Sequence, residues 1–154
     1  MAAETPTGTY LLLLQSEQLC ETRVGALGMV RLHAGRYVYI GSAFGPGGLP
    51  ARLRRHLGPA PSSLHWHIDY LRRCLKVEHV LLSTDDDRHE CAWVEELRSN
   101  PWASLPCAGA GASDCACPAH FLRIDTPDAP SEIRGLLGGT IQSFDPGELR
   151  PCLT

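Results

Sequence analysis

Residues 36–57 constrain the fold most, because a strand signal, a loop signal and a helix signal follow one another without a break. Residues 36–40 are Arg, Tyr, Val, Tyr and Ile, a run rich in β-forming side chains. Residues 41–50 contain four glycines and two prolines, which predict a loop. Pro50 suits the first turn of a helix, and the helical pattern continues to residue 57. We therefore predict a strand that leads through a glycine-rich loop into a helix.

Similar signals run along the rest of the 154-residue chain. Extended segments are predicted at residues 9–14, 24–32, 77–82 and 121–124, and helices at residues 65–75, 89–97 and 131–137. Short early connections favour an α+β fold with a small three-stranded, or slightly larger, antiparallel sheet flanked by helices. The predicted organisation is a disordered N-terminus at residues 1–7, one domain at residues 8–124 and a loosely packed tail at residues 125–154.

Composition indicates a cytoplasmic protein. The longest purely apolar run, residues 11–14, is far shorter than the roughly 20 residues that a membrane span needs. No charged segment precedes a long apolar one, so no secretory signal is predicted. The seven cysteines are odd in number and irregularly spaced. We therefore expect reduced thiols or metal ligands rather than a disulfide framework.

Basic side chains are concentrated in residues 23–76. This segment holds nine arginine and lysine residues and one acidic residue, Asp69, and so has a net charge of +8. The whole chain has a net charge of −3, which leaves −11 for the remaining residues. A basic segment within an acidic protein is typical of a nucleic-acid partner. A solvated basic face is the alternative that the charges leave open.

Arg52 and His56 are candidate groups for phosphate chemistry. They are four residues apart and therefore share one face of the predicted helix. A guanidinium binds phosphate oxygens through two parallel hydrogen bonds, and an imidazole can act as an acid or a base near neutral pH. An ordinary basic helix is the alternative.

Tyr10 and Tyr39 lie in predicted strands, and Tyr39 comes just before Gly41. Gly41 has no side chain to block the approach to a tyrosine hydroxyl. An unperturbed phenol has a pKa near 10, which Arg52 and a bound metal would lower towards the range of a useful base. Either tyrosine could be that base, with Tyr39 preferred, and ordinary core tyrosines are the alternative.

Glu90 is the best candidate for a metal ligand, because it stands near the start of a predicted helix. An acidic helix start without another role is the alternative. Phosphodiester hydrolysis needs an activated water, a bound phosphate, a divalent ion and help for the leaving oxygen. Tyrosine, arginine, histidine and one metal-binding acid can supply these functions.

Further residues are candidates for nucleic-acid contacts. They include Gly41 and the arginines that follow Arg52, because Arg55 on an adjacent helix face could reach a second phosphate. The segment at residues 65–70 is dense in polar and aromatic groups and could line a groove. The predicted nucleic-acid contacts are Gly41, Arg54, Arg55, His65 and His67.

The spacing Cys115-x-Cys117-x-x-His120, with Cys91 as a fourth ligand, is a candidate second metal site. Cysteine and histidine are the ligands of structural Zn²⁺ sites. Ordinary buried thiols are the alternative to a structural zinc here.

Two tyrosine triplets give the chain a resemblance to the GIY-YIG nuclease superfamily. Gly8-Thr9-Tyr10 resembles the first triplet, with Thr in place of Ile, and Tyr39-Ile40-Gly41 is the second triplet intact. The stretches YVYIGSA, ARLRRHL, HWHIDYL, EC and GASDCAC resemble an uncharacterised prokaryotic subfamily that is sometimes fused to endonuclease III-type glycosylases. The resemblance covers residues 8–122.

The resemblance implies a three-stranded antiparallel sheet, a single Mg²⁺ or Mn²⁺ on Glu90, and tyrosine-assisted hydrolysis with Arg52 and His56 in the site. Tyr10 and Tyr39 are farther apart than in the family, so an insertion around residues 20–33 must be accommodated. The leading hypothesis is a metal-dependent DNA endonuclease in repair or processing. The alternatives are a non-catalytic nucleic-acid-binding module and a zinc-stabilised protein-interaction domain.

Overall fold

The fold is built on a six-stranded sheet with helices on both faces. A computed structural model describes residues 4–107, 119–138 and 141–153. In these residues the strands are β1 (Gly8–Ser16), β2 (Cys20–Arg23), β3 (Met29–Leu32), β4 (Gly35–Ala43), β5 (Lys76–Ser83), β6 (Ala103–Ser104), β7 (Phe121–Ile124) and β8 (Gln142–Phe144). The α-helices are α1 (Gly48–Leu57), α2 (His67–Leu71), α3 (Glu90–Arg98), α4 (Ala129–Leu137) and α5 (Pro146–Leu149), with short 3₁₀ turns at Gly25–Leu27 and Arg150–Leu153.

The main sheet has the strand order β6-β7-β4-β1-β5-β8, and every neighbouring pair is antiparallel. The central pair, β1 and β4, is in register from Gly8 opposite Ala43 to Ser16 opposite Gly35. The predicted α+β fold with an antiparallel sheet flanked by helices is therefore confirmed. The sheet exceeds three strands because β6, β7 and β8 extend it at both edges.

Side-chain alternation in β1 divides the core into two layers. Leu12 and Leu14 belong to the layer that includes α1 and α2, and Leu11 and Leu13 belong to the layer that includes α3 and α4. All four are at most 1% exposed. Because both faces of β1 are covered, its sequence is continuously apolar rather than alternating.

The loop before α1 is shorter than predicted. Strand β4 continues to Ala43 and α1 begins at Gly48, so the loop comprises only residues 44–47. The small residues at positions 41–43 remain in the strand because they pair with residues 8–10 of β1. Helix α1 has ten residues. In the described ranges, no helix is both long enough and apolar enough to cross a membrane.

The insertion between the two tyrosine triplets is a separate antiparallel hairpin of β2 and β3. A disulfide joins Cys20 of β2 to Cys74, which follows α2, with a Cα–Cα distance of 5.7 Å. The expectation of reduced or metal-bound cysteines is therefore wrong for this pair. The two positions are 54 residues apart in sequence, so their proximity depends on the tertiary fold and not on a local spacing.

The C-terminal segment is packed against the sheet, contrary to the prediction of a loosely packed tail. Ile133 of α4 is fully buried, and Leu149 and Leu153 are at most 8% exposed. Strand β8 pairs with β5 at one sheet edge. The elements here are short and separated by prolines, so each has too few apolar positions to show a clear period in the sequence.

Candidate active site

A cavity of about 630 Å³ opens between α1, α2, the start of α3, the end of β4 and the turn of the β2–β3 hairpin. Its walls combine residues from widely separated parts of the chain. Seven residues that were singled out from the sequence line this cavity: Tyr39, Gly41, Arg52, His65, His67, Glu90 and His120. The fold therefore brings half of the fourteen predicted residues to one cavity.

Tyr10 lies behind the cavity wall and not in it. The β1–β4 register sets Tyr10 directly opposite Gly41, and Tyr10 is fully buried. A Cβ atom added to Gly41 would lie 2.5 Å from Tyr10 Oη, so only glycine leaves room for the tyrosine ring. Tyr39 is two residues before Gly41 and therefore on the same face of β4 as Gly41. It is 7% exposed and lines the cavity.

The hydroxyl of Tyr10 is part of a buried polar group. Tyr10 Oη lies 2.8 Å from His56 Nε2, and His56 is also fully buried. Burial raises the pKa of Tyr10 well above its ordinary value, and nearby Tyr39 raises it further, although Arg52 acts to lower it. Arg52 therefore acts on Tyr10 in the expected direction, but desolvation outweighs the guanidinium and the net pKa is raised.

His56 is neutral in this setting. Burial, assisted by Arg52, lowers the pKa of His56 to about 3. Among the described residues, His56 Nδ1 has no hydrogen-bond partner to compensate a proton placed on the ring. His56 contacts Tyr10 and does not line the cavity, so its position is that of a support for Tyr10.

We expect His56 to make the protein less stable as the pH falls. An unfolded histidine takes up a proton near pH 6.5, whereas folded His56 stays neutral down to about pH 3. The unfolded state then binds more protons, so stability drops by about 1.4 kcal/mol per pH unit below pH 6.5. Urea unfolding at pH 7.5 and pH 5.5 should show a loss in the wild type and in the exposed control His33→Gln that exceeds the loss in His56→Gln by about 1.4 kcal/mol. Equal losses in all three proteins would contradict the assignment.

Arg52 is held over an aromatic ring at the cavity. Its guanidinium carbon lies 4.2 Å from the centre of the Trp66 ring, and that of Arg55 lies 4.8 Å from it. Such cation–π contacts stabilise by about 0.5–2 kcal/mol and fix the plane of the guanidinium. Arg52 therefore approaches the cavity with a defined orientation.

Arg55 has a structural partner instead of an open face. It binds the buried carboxylate of Asp69 at 2.8 Å and donates to the carbonyl of Ser63 at 2.9 Å. Asp69 also accepts the backbone N–H groups of His65 and Trp66. Burial acts to raise the pKa of Asp69, but these hydrogen bonds outweigh it and lower the pKa. The ion pair thus fixes the start of α2, and with it Trp66, against α1.

The basic segment is used partly for the fold. Arg54 donates to the carbonyl of Leu153, and Arg72 donates to the carbonyls of Arg55 and Gly58. Arg54 and Arg55 do not line the main cavity. Arginine side chains that end helices can bind backbone carbonyls as well as phosphates, and the sequence pattern does not distinguish the two.

Glu90 is the first residue of α3, and its side chain is 23% exposed at the cavity. The turn before it is anchored to the sheet, because the backbone N–H of His89 donates to Thr9 Oγ1 at 3.1 Å. His120 Nδ1 lies 3.7 Å from Glu90 Oε2. Burial lowers the pKa of His120, and Glu90 partly offsets that shift.

The donor set at Glu90 suits a magnesium-type ion. Mg²⁺ is commonly bound through one or two carboxylates, with waters and substrate phosphates completing its shell. One carboxylate in a cavity that also holds Arg52 fits that pattern. In the part of the chain that the structure describes, no group of three or more His, Cys, Asp or Glu residues could hold a metal unaided.

The predicted zinc ligands are only partly described. Cys91 Sγ lies 3.8 Å from His120 Nε2, so these two candidates are neighbours. Cys115 and Cys117 lie outside the described residues. The structural zinc stays a prediction.

Comparison with known families matches residues 9–138 to one family model, which spans both tyrosine positions, Arg52 and Glu90. The chain belongs to the family described as domain of unknown function DUF123. No curated protein and no solved structure matches the chain.

Several positioning residues were missed from the sequence. Trp66 and Asp69 lie in the polar and aromatic segment at residues 65–70, but their contacts with Arg52 and Arg55 join different helices. In the sequence Thr9 is only a departure from the first triplet, and its contact with His89 spans 80 residues. Arg88 lines the cavity close to Glu90 without any local pattern that marks it.

Gly41→Ala should destabilise the fold and displace Tyr10. The new methyl group would lie 2.5 Å from Tyr10 Oη, and overpacking of this kind costs about 1–3 kcal/mol. The matched control is Gly135→Ala in α4, where an added Cβ meets nothing within 4 Å and a small stabilisation is expected. Urea unfolding of both variants measures the difference. A Gly41→Ala protein as stable as the wild type would show that the ring does not need this space.

Proposed function

We propose that this protein is a divalent-metal-dependent nuclease that hydrolyses phosphodiester bonds in DNA, on a GIY-YIG-like scaffold. The observation that carries the proposal is the convergence of Tyr39, Arg52 and Glu90 on one cavity. These residues come from β4, α1 and α3, and no packing requirement alone explains a phenol, a guanidinium and a carboxylate around one space. Membership of the DUF123 family leaves the activity open, so the proposal rests on this chemistry.

Arg52 binds the phosphate that is cleaved. Its guanidinium can donate two parallel hydrogen bonds to phosphate oxygens. The guanidinium carbon lies 4.2 Å from the centre of the Trp66 ring, which orients the group. Placing fixed positive charge where negative charge develops in the transition state is usually a large part of catalysis. Arg88 adds a second cation to the same cavity.

Tyr39 takes or relays the proton of the attacking water. It is the tyrosine that lines the cavity, whereas Tyr10 is fully buried and its pKa is raised by burial. Tyr10 instead supports the site from behind through its contact with His56 at 2.8 Å. This division of roles supports Tyr39 as the base.

Glu90 would hold Mg²⁺ or Mn²⁺. When bound, such an ion neutralises charge on the phosphate and favours departure of the leaving oxygen. The contact between Thr9 and His89 keeps the Glu90 carboxylate at the cavity by fixing the start of α3.

The test is incubation of the purified protein with end-labelled branched, nicked and single-stranded DNAs and with matched RNA. Each substrate is tested with Mg²⁺, with Mn²⁺ and with EDTA. We expect cleavage of DNA with either metal and none with EDTA. DNA binding without cleavage under all metal conditions would favour the non-catalytic binding module instead, and neither binding nor cleavage would refute both.

A further inference from the structure

The β2–β3 hairpin forms one wall of the cavity. Its turn residues Gly25 and Ala26 line the cavity beside α2. The turn lies against aromatic side chains, since a Cβ built on Gly25 would be 3.7 Å from the Tyr70 ring and 3.9 Å from the His67 ring. The inserted segment that separates the two triplets is thus part of the candidate site.

This wall is firmly attached. Val24 is fully buried. Its N–H donates to the carbonyl of Gly28 at 2.8 Å, and its carbonyl accepts from the N–H of Leu27 at 2.9 Å, which closes the turn. At the other end of the hairpin, the disulfide between Cys20 and Cys74 ties β2 to the residues that follow α2. The hairpin is therefore bonded to the residues after α2 at one end, and at the other end Val24 is buried in the same core layer as Ile68 of α2.

The lining of the cavity has the composition of a site for unpaired nucleotides. The rings of Tyr39 and Tyr70 line the cavity together with the cations of Arg52 and Arg88, and Trp66, which also lines it, carries the Arg52 guanidinium. Positive charge with aromatic rings is the combination that binds single-stranded nucleic acids, because every base can stack on a ring. The volume of about 630 Å³ lies within the roughly 300–1,000 Å³ range of pockets that enclose small ligands.

We propose that the cavity takes one unpaired nucleotide, with its base against the aromatic lining beside the hairpin turn and its phosphodiester at Tyr39, Arg52 and Glu90. The proposal rests on the proposed nuclease function and adds the substrate class. A base within an intact duplex is held in its stack and cannot enter a pocket beneath the surface without first being extruded. The hairpin wall therefore selects against fully paired DNA.

Binding in EDTA tests this selection independently of cleavage. Three fluorescein-labelled DNAs of one sequence are compared by anisotropy: a single strand, a duplex with one bulged nucleotide and a fully paired duplex. We expect the first two to bind the wild type at least tenfold more tightly than the paired duplex. Ala26→Trp places a bulky ring in the cavity and should remove most of that preference. The control Met29→Trp places the same ring on the 67%-exposed outer side of the hairpin and should not.

Equal affinities for the three DNAs in the wild type would overturn the proposal, whether or not the Ala26→Trp protein folds. The proposal would also be overturned if thermal unfolding showed that the Ala26→Trp protein is folded and that protein bound the three DNAs as Met29→Trp does. The cleavage assay separates this inference from the nuclease function. Cleavage of all three DNAs at the same rate refutes the unpaired-nucleotide pocket and keeps the nuclease. A preserved binding preference without cleavage in Mg²⁺ or Mn²⁺ refutes the nuclease and keeps the pocket.

Discussion

Replacing Glu90 with glutamine should reduce metal-dependent DNA cleavage by about a thousandfold. Glutamine keeps the size of the side chain but removes the charge, and the loss of several kcal/mol of transition-state stabilisation, about 4 kcal/mol, corresponds to that factor. Binding measured in EDTA should stay close to that of the wild type, because the neighbouring cations remain. Single-turnover cleavage with Mg²⁺ measures the effect.

The matched control for Glu90→Gln is Glu96→Gln. Glu96 lies on the same helix with an exposed side chain away from the cavity, so its replacement should leave the cleavage rate unchanged. A Glu90→Gln protein that cleaves DNA in Mg²⁺ as fast as Glu96→Gln would remove Glu90 from the site.

Tyr39→Phe is expected to have the next largest effect, a loss of about 10²- to 10⁴-fold in cleavage rate. This is the usual contribution of a general acid or base. Phenylalanine keeps the aromatic ring and its packing, so the protein should stay folded. Single-turnover rates and urea unfolding of the same preparation measure the two quantities.

Tyr10→Phe should behave differently from Tyr39→Phe. It removes the buried hydroxyl that contacts His56, and leaving that imidazole unsatisfied should destabilise the fold by about 1–3 kcal/mol. Its effect on cleavage should be smaller, because it acts through the position of its neighbours. If Tyr10→Phe were the more damaging change to the cleavage rate at full stability, the two roles would be reversed.

Local patterns predicted most of the elements that form the sheet centre. Strands β1 and β4 are rich in β-forming and apolar residues, and α1 and α3 follow turn signals, so short windows were sufficient. Strand β8 was missed because its three residues, Gln, Ser and Phe, carry no periodic signal. It exists because it pairs with β5 at the sheet edge.

The sequence predicts which chemical groups form the candidate site, but it does not predict which residues each group contacts. A guanidinium can serve a phosphate, a carboxylate or a carbonyl, and only the tertiary structure separates Arg52 at the cavity from Arg55 on Asp69. The sequence also does not show which of the two tyrosines is fully buried. Tyr10 and Tyr39 both lie in strands. Tyr10 is enclosed because it stands opposite Gly41 on the neighbouring strand, whereas Tyr39 lines the cavity.

The most direct test of a single hydrolytic site is the coupling between its residues. Single-turnover cleavage of labelled DNA is compared for the wild type, Tyr39→Phe, Glu90→Gln and the double variant with Mn²⁺. Residues that act as a unit are strongly non-additive. We predict that the wild type cleaves DNA and that the double variant is no slower than the slower single variant. No cleavage by the wild type, or losses that simply multiply in the double variant, would contradict one site built from Tyr39 and Glu90.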